Sequence, residues 1–87
     1  MPRFWDISFE DGRPLAAYLY LRDSAGPSAY TEERTSGIVV DFGADKRPIG
    51  VEIIDPEAVS LAELNRVLAE LGEAPATEAE VRPLRAA

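Results

Sequence analysis

Two carboxylates, Asp41 and Glu52, sit in the most strongly patterned stretch of the chain, GIVVDFGADKRPIGVEIIDP, from Gly37 to Pro56. Ile38, Val40 and Phe42 alternate along one segment, and Ile49, Val51 and Ile53 along the next. Strict alternation of β-branched and aromatic residues marks two half-buried strands joined by a turn within Gly43 to Pro48. Asp41 and Glu52 then share the face opposite the apolar one, and one register makes them diagonal neighbours. A carboxylate pair of this kind can hold Mg²⁺ or Ca²⁺, or move a proton. It can equally be the solvated outer face that keeps a hydrophobic hairpin soluble. Hard cations ask for six to eight oxygen ligands, roughly, and Asp45 offers a third only from the turn, so solvation is the favoured reading. No metal and no cofactor is expected.

Other chemistry is restricted by composition. With no His and no Cys, the chain lacks the commonest general base, the commonest transition-metal ligand and any thiolate. Its serines have no His for a triad, and no nucleophile elbow is present. GADKRPIG lacks the glycine spacing and the trailing hydroxyl of a phosphate loop. Nine Lys and Arg against sixteen Asp and Glu leave a net charge of −7, which repels nucleic acid and anionic membranes. No apolar run reaches the ~20 residues of a membrane span. The first residues show no basic and then apolar leader, so a cytoplasmic address is expected.

The remaining candidates for function are aromatic. Leu15 to Arg22 reads as a strand with Leu15, Ala17, Leu19 and Leu21 on the core face. Tyr18, Tyr20 and Arg22 then share the other face. Tyr and Arg are favoured interface anchors, so these three are candidates for a contact surface, unless the tail beyond Gly72 folds over them. Gly50 marks a close approach by a ring or backbone, a bulge, or a ligand contact, packing or a bulge being favoured. Trp5 reads as core filling.

These residues are positioned by one domain spanning residues 1–87, since eighty-seven residues make one core and not two. Arg3 to Phe9 alternates as a first strand, with Trp5, Ile7 and Phe9 on one face, and the EDGRP turn after it ends in a Pro that stops the ladder. Asp23 to Ser28 is a loop, and YTEERT, polar on both faces, is an edge strand or connector. Strands thus occupy about 3–55. A helix over about 60–71 opens on a capping box, Ser60 with Glu63, and carries Val59 and Leu64 as a staple. Its stripe of Leu61, Leu64, Val67, Leu68 and Leu71 needs the sheet to lie on, and Gly72 ends it. Thr77 and Glu80 form a second capping box for a short helical segment over about 77–84. The expected fold is α+β, a mostly antiparallel sheet of four or five strands built from hairpins or a meander, with the C-terminal helix on one face.

The stretch Asp41 to Ile54, DFGADKRPIGVEII, resembles the bacterial domain-of-unknown-function family 2283. Asp41, Phe42, Gly50, Val51, Glu52 and Ile53 match its core pattern, and Ala17 to Leu21 is similar to its earlier strand. The family usually has an acid before that strand, where this chain has Ala16-Ala17. It also has an acid at Gly43 and a Gly at Lys46. The resemblance spans roughly Phe9 to Asp55 and implies a small sheet-based bacterial protein without supplying an activity. By analogy with family members that neighbour small ribonuclease-type toxins, an antitoxin-like inhibitor of a basic toxin is one alternative. A cation-binding protein or hydrolase using Asp41 and Glu52 is another. The leading expectation is a non-catalytic interaction or oligomerisation module, a homodimer first, another small protein second.

Overall fold

The computed structural model describes residues 3–22, 27–35 and 37–85. Five strands form one antiparallel sheet: β1 (Phe4–Glu10), β2 (Arg13–Tyr20), β3 (Tyr30–Thr35), β4 (Ile38–Phe42) and β5 (Pro48–Ile53). Helix α1 spans Leu61–Glu70, and a short helix α2, Glu78–Val81, runs into a 3₁₀ turn over Arg82–Arg85. The fold is α+β. Among the described residues no helix is long and apolar enough to cross a membrane. The loop expected over Asp23 to Ser28 lies largely outside the described residues.

The strand order is β1-β2-β5-β4-β3, so the sheet is not a simple meander. The β1–β2 hairpin joins the β3–β4–β5 meander through β2 and β5. That leaves the polar YTEERT strand at one edge, where charge opposes pairing with a further chain.

Each hairpin carries a bulge, and the one between β1 and β2 resets the alternation. Between β1 and β2, Ser8 pairs with Ala16 but Phe9 pairs with Pro14, and Leu15 is the extra residue. This corrects the expectation for Leu15, which is 54% exposed, while Pro14 is buried inside the strand and does not stop the ladder. Phe9, past the same bulge, is also exposed. The turn itself is Asp11-Gly12, both with positive φ (54° and 77°), the conformation that a tight two-residue hairpin needs. In the β3–β4 hairpin Arg34 is the extra residue, and in β4–β5 it is Ile49.

The six alternating side chains of the central hairpin all point inward. Ile38, Val40, Phe42, Ile49, Val51 and Ile53 are each buried. Leu64, Val67 and Leu68 of α1 belong to the same apolar cluster, as do Ala76, Val81 and Leu84 of the tail. Trp5 and Ile7 pack against it while remaining half-buried.

The helix ends follow from their cap residues. Ser60 Oγ accepts from the Glu63 N–H at 3.1 Å, and the Glu63 carboxylate accepts from the Ser60 N–H at 3.0 Å. Past the helix, Gly72 (φ 76°) donates to Ala69 O and Glu73 donates to Leu68 O, a Schellman closure. The second box forms by half. Thr77 Oγ1 accepts from the Glu80 N–H, but the Glu80 carboxylate turns instead to Arg3, at 2.9 Å. The Arg3 guanidinium also donates to Ala74 O and Pro75 O, which ties the tail to the start of β1.

Candidate functional site

Strand register places the candidate residues in rows across the outer face. One row runs Phe4, Tyr20, Gly50, Asp41, Thr31, from β1 through β2, β5 and β4 to β3. The neighbouring row runs Asp6, Tyr18, Glu52, Val39, Glu33. Asp41 pairs with Gly50 and Glu52 with Val39, so the two carboxylates are diagonal neighbours.

Gly50 is the position on which the site turns. A Cβ built there would collide with the Tyr18 ring and hydroxyl, so the missing side chain is what lets the ring lie across β5. Of the readings open from the sequence, close approach by a ring is realised at Gly50 itself, and the bulge is realised beside it, at Ile49. From this position the Tyr18 hydroxyl donates a 2.7 Å hydrogen bond to Asp41 Oδ2. Burial of the phenol, followed by the hydrogen bond to Asp41 and the charge of that carboxylate, pushes the Tyr18 pKa far above its usual value. The hydroxyl is thus kept as a donor.

Around this bond lies an aromatic strip. Phe4 stacks on Tyr20 at 4.6 Å between ring centroids, and Tyr18 meets Tyr20 at 4.7 Å, tilted by 56°. Phe4 is 54% exposed. Among the described residues, the buried side chains of the tail, Ala76, Val81 and Leu84, belong to the core cluster, which does not include Tyr18 or Tyr20. The same cluster holds Ala17, Leu19 and Leu21, which leave this part of the chain on the side away from the tyrosines.

Arg22 is held at the end of the strip. Its Nε donates to Pro48 O at 3.2 Å, and its guanidinium meets Asp45 at 3.4 Å. Asp45 also accepts from the Arg47 N–H, and this bond, ahead of the Arg22 contact, lowers the Asp45 pKa. Asp45 is therefore committed to its own turn, well apart from Glu52 in register. Among the described residues no group of three or more acidic side chains converges on a point that could hold a metal ion.

Sequence reasoning put Phe4, Asp6 and Ala16 on outward faces of their strands but singled out none of the three as a site residue. Phe4 and Asp6 were visible as outward residues of β1, but their neighbours depend on the long-range β2–β5 pairing. The third, Ala16, lies with Asp6, Ser8, Tyr18 and Glu52 around a shallow open depression of about 150 Å³. A larger open hollow, about 350 Å³, lies by the first turn between Glu10, Asp11, Arg13 and Glu57 and gathers no chemically distinctive group.

Comparison with known proteins bears on one part of the chain. Residues 16–55, from within β2 to just past β5, match the model of the family described as "Protein of unknown function (DUF2283)". No curated protein matches the chain, and no solved structure does. The matched stretch holds Tyr18, Gly50, Asp41 and Glu52, but neither β1 nor the helices. Residues 16–55, 40 of the 87 in the chain, are thus what this protein has in common with the DUF2283 family of proteins of unknown function, a stretch that takes in most of β2 and all of β3, β4 and β5.

Proposed function

We propose that the chain is a non-catalytic protein-interaction and oligomerisation module, and that the outer face of its sheet makes the contact. The observation that carries this reading is the Phe4–Tyr20–Tyr18 strip, aromatic, with Phe4 exposed and the two tyrosines half-buried, on a face to which the described tail residues contribute no buried side chain. Aromatic anchors held rigid by stacking bind with little loss of side-chain freedom. The two-layer arrangement, with α1 on the inward face, is supported by the cluster that α1 shares with β4 and β5. It leaves the outer face as the surface to share.

The proposed occupant of the aromatic end is a second copy of the chain. A small domain gains most from such burial, because its own core is limited. Light scattering across a concentration series tests this, on the wild type and on Phe4→Ser and Tyr20→Ser. The expected result is a dimer at high concentration whose dissociation constant rises about tenfold or more in either variant. A strict monomer at every concentration overturns the reading.

A further inference from the structure

We propose that the depression between Asp6 and Glu52 is a seat for an arginine side chain of a different protein. This rests on the reading of the outer face as a contact surface, but uses its other end. Asp6 on β1 and Glu52 on β5 flank Tyr18 on β2 in a single row. Strands lie about 4.8 Å apart, so the two backbones are roughly 10 Å from one another across the depression. Ala16 and Ser8, being small, leave the hollow open, and Tyr18 is among the residues that line it. Neither Asp6 nor Glu52 has an ion pair or a side-chain hydrogen bond among the described residues.

The chemistry selects a planar organic cation. A metal ion would need more oxygen ligands than two separated carboxylates give. A guanidinium carries five N–H donors around a flat, weakly hydrated plate. It can donate to carboxylates on opposite edges while one face lies on a tyrosine ring. The Tyr18 hydroxyl is already spent on Asp41, which holds the ring in place for that contact.

Charge also decides between partners. Of the five places on the row through Asp6, three are acidic (Asp6, Glu52 and Glu33) and none is Lys or Arg. A second copy laid over this end in a two-fold arrangement would set acid against acid. A basic segment of another chain meets complementary charge.

Backbone-amide NMR titration with hexa-arginine amide tests the assignment, beside hexa-lysine and the uncharged isostere hexa-citrulline. The expected shifts centre on Asp6, Ala16, Tyr18 and Glu52, with hexa-lysine weaker and hexa-citrulline silent. An Asp6→Asn/Glu52→Gln variant weakens hexa-arginine binding about tenfold, whereas Glu57→Gln/Glu78→Gln, with the same net charge, changes it less than about twofold. Equal weakening in both variants, shifts centred on the helical acids, binding of hexa-citrulline, or equal binding of hexa-lysine overturns the assignment. Self-association lost on Tyr20→Ser, together with no hexa-arginine binding, removes this inference and leaves the earlier reading standing. A strict monomer that still binds hexa-arginine at these residues does the reverse.

Discussion

Tyr18 reaches over the bare backbone of Gly50 to donate a 2.7 Å hydrogen bond to Asp41, joining β2 to β4 across the strand between them. The bond spans 23 residues of sequence and fixes the tilt of the aromatic strip. It makes one glycine, one phenol and one carboxylate a single unit.

Gly50→Ala is therefore expected to cost about 1–3 kcal/mol, since the new methyl must displace the ring it meets. Thermal or urea denaturation reads the loss. Combined with Tyr18→Ala, the cost of the alanine at 50 should shrink, and an additive double mutant would show that the two positions do not touch.

The same unit sets a pH dependence. The folded-state pKa of Tyr18 is raised above its ordinary 10.0. Its contribution to stability is thus full below about pH 10 and is lost as pH climbs through the raised value. Tyr18→Phe should cost about 0.5–1.5 kcal/mol at neutral pH and flatten the alkaline limb of the stability profile. In Asp41→Asn the Tyr18 phenol should titrate at lower pH than in the wild type, as phenolate absorbance would record.

Arg3 fastens the tail to β1 through Glu80 and the carbonyls of Ala74 and Pro75. Its side chain is only 16% exposed, and that of Glu80 23%. Arg3→Ala should cost about 1–3 kcal/mol. It should also speed hydrogen exchange of the amides from Ala76 to Leu84 more than those of α1. Uniform acceleration would mean that the tail opens only with the whole fold.

The bulge at Leu15 separates two leucines that alternation alone treats alike. Leu15→Ser should lie within about 0.5 kcal/mol of the wild type, because the side chain is exposed. Leu19→Ala, at a fully buried site, should cost about 2–5 kcal/mol. Chemical denaturation of the pair checks the contrast.

By itself the sequence determined what depends on neighbours along the chain. Alternation from Ile38 to Ile53 set which side chains are inward, and Ser60, Glu63 and Gly72 set the ends of α1. These are short-range rules, a period of two and a cap, and they act within a few residues. The family pattern was also legible, since it lies within residues 16–55. Tertiary structure alone decided the pairing of β2 with β5, which brings Asp6, Tyr18 and Glu52 into one row. It also decided the phase shift at Leu15 and the diversion of Glu80 from its cap to Arg3. Each of these depends on partners distant in sequence, where the choice between competing contacts rests on the packing of the whole core and leaves no local mark in the residues themselves.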